Sequence, residues 1–276
     1  MRRMTVAVVL VLALCGCNKG GGTPAATPTA AAAATPAAKP AFEAIVAHSG
    51  GIAKGLDYTN SREALDGAYA NGIRWFELDM ATTTDGKVVL VNNWGDGFEK
   101  LFPGSTRGRR THAEFLALKM ADGLTQMDLD RLVEWMAAHP DAIVVTDVKD
   151  DNVAVLKRLA ESHKPLLERF VPQMYHFEEY DPLKPVGFPK LILSLYAMEA
   201  SDEEVLTWVK THPVHAVTMP TDRAKASDLA KKLGEAGVPV YVHTVNEKTE
   251  LDELILAGVD GVYTDKLVPK DLASAN

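Results

Sequence analysis

The feature that most constrains the fold is a regular alternation of two kinds of segment. Short runs rich in valine and isoleucine, bounded by polar residues or glycine, alternate with segments whose apolar residues recur at helical spacing. This alternation is typical of repeated β-α units around a parallel sheet. Eight candidate strands lie at residues 44–48, 75–81, 142–147, 170–175, 191–196, 216–219, 238–244 and 261–264. A run at 87–91 fits one additional hairpin strand.

The number of repeats and the length of the segment favour one closed barrel. No second linker interrupts residues 42–276, and α/β barrels commonly reach this size as a single domain. We therefore predict an α/β fold, a (β/α)8 barrel of TIM type, over residues 42–276. An open, doubly wound sheet is the alternative that the same pattern allows.

Two capping signatures predict where helices begin. Thr125 followed by Asp128 precedes an apolar stripe that runs until Pro140, and Ser201 is followed by Glu204 in the same way. Three further helical segments end in a glycine just before a strand, which is how helix-to-strand loops usually stop a helix. These glycines are Gly72, Gly237 and Gly258.

The first 16 residues predict a bacterial lipoprotein signal peptide. Arg2 and Arg3 precede an apolar run, residues 6–14, that is too short to cross a bilayer. The run ends in Leu14-Cys15-Gly16-Cys17, which resembles the lipobox, so Cys17 is the expected site of lipidation. An ordinary secretory signal peptide is the alternative.

Residues 17–41 predict a flexible tether between this cysteine and the barrel. The segment is rich in Ala, Pro, Thr and Gly and has almost nothing to bury. Several acyl chains on Cys17 would hold the protein on a membrane of the bacterial cell envelope, on the periplasmic or the surface side. The oligomeric state is not indicated by the sequence.

Composition limits the chemistry and the partners of the domain. Both cysteines precede the barrel, so it contains neither a disulfide nor a thiolate-bound metal. Without residues 1–16 the chain has 27 Lys and Arg against 37 Asp and Glu, a net charge of −10. Nucleic acid is therefore not an expected partner.

Side chains capable of acid–base or metal chemistry collect in the first three predicted barrel strands. His48 closes the first strand, Glu77 and Asp79 lie two apart in the second, and Asp147 and Lys149 lie two apart in the third. Residues two apart in a strand face the same side, so one face gathers three carboxylates. Oxygen ligands favour Ca²⁺ or Mg²⁺ over Zn²⁺. A buried salt-bridge network is the alternative.

In sequence order, these and further motifs resemble one family, the glycerophosphodiester phosphodiesterases and their phosphatidylinositol-phospholipase-like relatives. The motifs are His48-Ser49-Gly50-Gly51, Tyr58-Thr59-Asn60-Ser61, Glu77-Leu78-Asp79, Thr84-Asp85-Gly86, Asp147-Val148-Lys149, Gln173-Met174-Tyr175, His243-Thr244-Val245-Asn246 and Tyr263-Thr264-Asp265. The resemblance implies a TIM-type barrel that cleaves a glycerol- or inositol-type phosphodiester by metal-assisted acid and base catalysis.

The resemblance also implies roles for individual residues. His48 matches the first catalytic histidine, and Glu77, Asp79 and Asp147 match the metal ligands. Lys149 matches a lysine that faces the substrate phosphate. Substrate contacts are expected from Asn60, Asn92 and Gln173. The partner implied is a small phosphodiester or a phospholipid head group.

The chain departs from the family where the second catalytic histidine is expected. After Asp85-Gly86 it reads Asn92-Asn93-Trp94, and an asparagine cannot exchange a proton near neutral pH. His243, at the end of the seventh barrel strand, is a candidate for the missing acid, and a hydrogen bond at the barrel rim is the alternative role for it. His176, which follows the fourth strand, is a weaker candidate for the edge of the site. The alternative to a slow or rewired enzyme is an inactive protein that binds phosphate or lipid head groups.

One loop carries aromatic side chains close to this departure. Trp94, Phe98 and Phe102 follow the third predicted strand. We expect them to pack the loop onto the barrel, with contact to a glycerol or lipid moiety as the alternative.

Overall fold

A computed structural model of the protein describes residues 43–272. The predicted signal peptide, the lipidation site at Cys17 and the whole of the predicted tether lie outside the described residues. No helix among residues 43–272 is both long enough and apolar enough to span a bilayer.

Eight parallel strands close into a barrel, as the sequence predicts. β1 pairs with both β2 and β9, which closes the sheet and rules out the open, doubly wound alternative. β3 pairs antiparallel with β2 and is the predicted extra hairpin strand. The strands are β1 (Ile45–Ala47), β2 (Trp75–Thr82), β3 (Val88–Leu90), β4 (Ile143–Val148), β5 (Phe170–Met174), β6 (Ile192–Ser194), β7 (Ala216–Pro220), β8 (Val240–His243) and β9 (Gly261–Thr264).

The α-helices alternate with these strands in the chain. They are α1 (Arg62–Ala70), α2 (Phe98–Leu101), α3 (His112–Ala117), α4 (Leu129–Ala138), α5 (Asn152–Ser162), α6 (Tyr180–Leu183), α7 (Asp202–Val209), α8 (Thr221–Ala226), α9 (Leu229–Glu235), α10 (Lys248–Leu256) and α11 (Pro269–Leu272). α2 and α3 belong to an insertion between β3 and α4.

The structure confirms one predicted helix start and shifts the other. Ser201 and Glu204 form the expected capping box of α7. In α4 the N-cap is Asp128, whose carboxylate accepts from the Arg131 amide, so placing the helix start at Thr125 was wrong. The hydroxyl and amide of Thr125 instead donate to Glu63, which holds this loop against α1.

Strand alternation places an apolar layer beneath a polar one inside the barrel. The inward side chains of the lower layer pack together and include Val46, Trp75, Val145, Val171, Ile192, Ala216, Tyr241 and Tyr263. The residues two positions further along β2 and β4 are Glu77 and Asp147, at the carboxyl ends of the strands. Because side chains in a strand alternate between faces, the same pattern that fills the barrel floor also points these acids into its mouth.

The insertion between β3 and α4 has an apolar core of its own. Phe98, Phe102 and Phe115 are buried and contact one another, and Trp94 packs against Phe98 and Phe115. Leu101 belongs to the same cluster. The aromatic side chains therefore pack this insertion onto the barrel, as expected.

Candidate active site at the carboxyl end of the barrel

A cavity of about 590 Å³ opens at the carboxyl ends of the barrel strands. Parallel strands of a barrel bring their ends to one face, so residues far apart in sequence meet here. The lining residues are His48, Tyr58, Glu77, Asp79, Asn92, Asp147, Lys149, Gln173, Tyr175, Ser194, Tyr196, His243, Thr244 and Tyr263. Of the catalytic, substrate-binding and metal-binding candidates predicted within residues 43–272, Asn60 and His176 are absent from this lining.

Three carboxylates converge on one side of the cavity. One oxygen each from Glu77, Asp79 and Asp147 lies within 4.8 Å of the other two. The register of the sheet explains this arrangement, since Asp79 on β2 pairs directly with Asp147 on β4. Glu77 and Asp79 are only 2% and 1% exposed. Burial, and then the charge of Asp79, raises the pKa of Glu77 to about 8.

Lys149 partly neutralises this cluster. Its Nζ lies 2.8 Å from Asp79 Oδ1 and 2.7 Å from Asp147 Oδ2. Burial disfavours the charged ammonium, but the neighbouring carboxylates outweigh that effect and raise the pKa of Lys149. One ammonium group faces three carboxylates, so the cluster keeps negative charge.

The arrangement of the acids fits a hard divalent cation. Glu77 Oε1 is buried without a hydrogen-bond partner, which is costly unless something positive occupies the space beside it. The donor set consists of carboxylate oxygens, which suit Ca²⁺ or Mg²⁺. Glu77, Asp79 and Asp147 are the residues that would hold the ion.

Short hydrogen bonds fix the orientation of the two buried acids. The amide of Ser49 donates to Glu77 Oε2 at 2.8 Å, and its hydroxyl donates to Asp79 Oδ2 at 2.7 Å. Asn60 Nδ2 also donates to Asp79 Oδ2, and Asn60 Oδ1 accepts from the Asp79 amide. Asn60 thus orients the acid cluster and is absent from the cavity lining, so its contact with substrate stays a prediction.

Tyr175 supports the third acid. Its hydroxyl donates to Asp147 Oδ1 at 2.5 Å. Burial raises the pKa of Tyr175 well above its usual value, and the charge of Asp147 adds to the effect. Tyr175 therefore remains a hydrogen-bond donor across the accessible pH range.

His48 is held in a hydrogen-bonded chain that sequence reasoning missed. Its Nδ1 lies 2.8 Å from Asp265 Oδ1, and Asn246 Nδ2 donates to the other oxygen of Asp265 at 2.7 Å. Burial by itself would lower the pKa of His48. The hydrogen bond to Asp265 and the charges of the nearby carboxylates outweigh burial and raise the pKa to about 9. The available signal was that Asp265 directly follows β9, the neighbour of β1.

His243 occupies the opposite electrostatic environment. It lines the same cavity, lies beside the rings of Tyr196 and Tyr263, and has a buried Nε2 without a partner. Burial lowers its pKa to about 4, and the charges of His48 and Lys149 contribute. A neutral imidazole at neutral pH can accept a proton but is a poor donor, so this environment suits a base better than the missing acid for which the sequence made His243 a candidate.

The other three candidates differ in whether they lie at the cavity. Asn92 lines the cavity, and Gln173 is buried in its wall, where it accepts from the Tyr263 hydroxyl at 3.4 Å. His176 lies outside the lining. It is exposed and caps a short turn by accepting from the Glu179 amide, so the structure does not bring His176 into the cavity.

Part of the chain matches a known family model, and its fold matches solved structures. Residues 188–268 match the model of the glycerophosphoryl diester phosphodiesterase family. A glycerophosphodiester phosphodiesterase from Agrobacterium tumefaciens superposes with a TM-score of 0.65 at 19% identity, covering 84% of this chain and 100% of that one. The corresponding protein from Thermotoga maritima gives 0.65 at 20% identity, with 82% and 96% covered.

A third structure similar to this chain contains a ligand. A phosphodiesterase from Oleispira antarctica, in complex with the product sn-glycerol-3-phosphate, has a TM-score of 0.64 at 18% identity, with 84% of this chain and 96% of that one covered. At such identities the likeness shows a common fold. The family match covers residues 188–268, and the fold is the one that these glycerophosphodiester phosphodiesterases share.

Proposed function

We propose that the protein is a phosphoric diester hydrolase that cleaves a glycerol- or inositol-type phosphodiester with the help of a divalent cation. The observation that carries this proposal is the convergence of Glu77, Asp79, Asp147 and His48 on one cavity. The product that accompanies the Oleispira antarctica phosphodiesterase, sn-glycerol-3-phosphate, is the kind of phosphate that the cavity would retain.

Charge complementarity accounts for phosphate binding. A divalent cation held by the three carboxylates would supply positive charge beside the phosphoryl oxygens. Lys149, at the same wall, adds a second positive group that can turn from its carboxylate partners toward a bound phosphate. The side-chain amides of Asn92 and Gln173 add polar lining that can contact the substrate.

The two histidines have different roles in proton transfer. Opposite pKa shifts in one cavity separate an acid from a base, and here His48 holds its proton at neutral pH while His243 does not. His243 would accept the proton of the attacking oxygen, from water or from a substrate hydroxyl. As a bond from that oxygen to phosphorus forms, the bond to the leaving alcohol breaks, and His48 would donate its proton to the leaving oxygen.

The proposal is tested by assaying the full chain on glycerophosphodiesters with and without Mg²⁺ or Ca²⁺. His48→Ala is expected to lower kcat by about two to four orders of magnitude, and Glu77→Gln should remove the dependence on the cation. His176→Ala, a histidine close by but outside the cavity, is the matched control and should keep full activity. Phosphorus NMR would distinguish hydrolysis from attack by a substrate hydroxyl, which yields a cyclic phosphate. Activity that survives His48→Ala would contradict the assignment.

Asn92 favours a second candidate function. The cavity presents an amide where the resemblance implies a histidine, so the same residues could bind a phosphate or lipid head group without cleaving it. Asn92→His separates the two candidates. An enzyme that has kept its other groups should gain rate, whereas a binding protein should bind glycerol phosphate with the cation and cleave nothing in either form.

We further propose that the protein is attached to the bacterial cell envelope through lipid on Cys17. The Leu14-Cys15-Gly16-Cys17 sequence supports this proposal. In detergent phase separation of cells that express the full chain, the protein should enter the detergent phase, and Cys17→Ser should move it to the aqueous phase. Equal partitioning of the two forms would contradict lipidation.

A further inference from the structure

A second cavity, of about 240 Å³, adjoins the active-site cavity on the side of the insertion. It is lined by Asp57, Tyr58, Val91, Asn92, Asn93, Asp96, Gly97, Phe98, Lys100 and Leu101. Tyr58 and Asn92 also line the larger cavity, so these two side chains form a wall common to both. We call the smaller space the insertion cavity.

The floor of the insertion cavity is apolar. It consists of Val91, Phe98 and Leu101, all buried in the apolar cluster of the insertion. An apolar group that settles on this floor leaves water and gains roughly the transfer energy of its buried surface. The floor therefore favours carbon over charged or hydroxylated groups.

The charged residues of the rim already have partners. Lys100 Nζ lies 3.1 Å from Asp57 Oδ1, and Asp96 is paired with Arg107. A cationic alcohol such as choline would have to compete with these pairs for a carboxylate. The rim therefore provides little attraction for a charged group.

The insertion cavity lies beside His48, the proposed proton donor to the leaving alcohol, with Tyr58 between them. The ring of Tyr58 contacts the ring of His48, with 4.8 Å between centroids. An alcohol whose oxygen receives a proton from His48 would extend past Tyr58 and Asn92. Its carbon body would then reach the apolar floor.

We propose that the insertion cavity is the subsite for the leaving alcohol and that it selects neutral alcohols with an apolar body. This inference rests on the proposed function, because it names the part of the phosphodiester that the insertion recognises. It assigns substrate selection to Val91, Phe98 and Leu101, none of which belongs to the lining of the active-site cavity.

The experiment compares sn-glycerol-3-phosphate diesters of methanol, ethanol, propanol, butanol and choline, with the cation present. The simple alcohols leave with similar ease, so differences in kcat/KM report binding of the carbon chain. We expect kcat/KM to rise by up to about fourfold per methylene from methyl to butyl. The choline diester should show none of this gain.

Three variants at two buried leucines separate the subsite from the stability of the insertion. Leu101→Asn places an amide in the floor and should remove the rise of kcat/KM with chain length. Leu101→Met, which keeps the floor apolar, should keep the rise of kcat/KM with chain length. Leu124→Ala, in the same apolar cluster but outside the cavity lining, should keep it.

Each outcome decides one of the two proposals. Equal kcat/KM for all the simple diesters, or the same loss of chain-length dependence in Leu124→Ala, would overturn the subsite and leave the hydrolase proposal intact. A chain that cleaves none of the diesters contradicts the hydrolase proposal instead. In that case the binding affinities of the same diesters, measured by calorimetry, test the subsite proposal. Affinities that do not change with the length of the alcohol chain would overturn it.

Discussion

At the scale of single residues, two histidines in one cavity have opposite protonation states because their neighbours differ. His48 faces Asp265 and the acid cluster, whereas His243 has a buried, unpartnered Nε2. A carboxylate partner stabilises the imidazolium, and burial without a partner stabilises the neutral ring. The chemistry thus depends on residues such as Asp265 that need not touch substrate.

Asp265→Asn tests the origin of the raised pKa. Asparagine keeps the size of the side chain but loses its negative charge, so the pKa of His48 should fall from about 9 toward its usual value. NMR titration of the His48 ring in cation-free protein measures the change. Asp141→Asn, a surface carboxylate remote from the cavity, is the control and should leave the titration unchanged. An unshifted His48 in Asp265→Asn would show that Asp265 does not set the pKa.

The two histidines also predict the pH dependence of cleavage. Activity requires His243 without its proton and His48 with it, so kcat/KM should rise through about pH 4, stay level near neutrality and fall above about pH 9. The positive charge of a bound cation lowers the pKa of His48, so it moves the upper limit of this pH range below about 9. Beyond each limit the rate should drop about tenfold per pH unit. A rate that continues to rise above pH 9 would reverse the assigned role of His48.

At the scale of elements, the strands were predictable because alternation and turn residues signal them locally. All eight barrel strands and the hairpin strand lie where the sequence predicts them. The start of α4 was not predictable in the same way. Thr125 and Asp128 both suit an N-cap, and the choice depends on Glu63, which engages Thr125 from a distant segment.

Gly261 tests how closely β9 packs inside the barrel. A Cβ at this position would lie 2.5 Å from the Tyr241 ring and 2.9 Å from the Ala44 carbonyl oxygen. Gly261→Ala should therefore lower the free energy of unfolding by about 1–3 kcal/mol or more, as measured by urea denaturation. Gly67→Ala, in the middle of α1 with no atom within 4 Å of the added Cβ, is the matched control and should raise stability by up to about 1 kcal/mol. Equal stability of Gly261→Ala and the wild type would contradict the packing.

At the scale of the whole molecule, the sequence predicts which strand ends carry chemistry but not how the side chains share charge. Glu77, Asp79 and Asp147 were predictable because residues two apart face one side of a strand and parallel strands end together. The link between His48 and Asp265 spans 217 positions, and no local pattern reports it. The insertion cavity likewise arises from packing between the insertion and the barrel rim.

The acid cluster should couple cation binding to the stability of the whole barrel. The pKa of Glu77 in the folded protein, about 8, lies above its usual 4.5, so the folded state holds a proton that the unfolded chain releases. Stability contributed by this proton is present below about pH 4.5 and is lost as the pH rises toward 8. A cation at the cluster replaces the proton, and at one hundred times its Kd it would add about 2.7 kcal/mol.

Thermal unfolding with and without Mg²⁺ or Ca²⁺ at pH 8 measures this coupling. The wild type should gain several degrees in Tm on saturation with the cation, since a few kcal/mol corresponds to such a shift in a domain of this size. Glu77→Gln removes the buried charge, so it should be more stable than the cation-free wild type at pH 8 and gain little from the cation. Glu250→Gln, a surface residue paired with Lys225, should respond to the cation as the wild type does. An equal cation-induced shift in Glu77→Gln would place the cation elsewhere, and the buried Glu77 would then need another source of compensation.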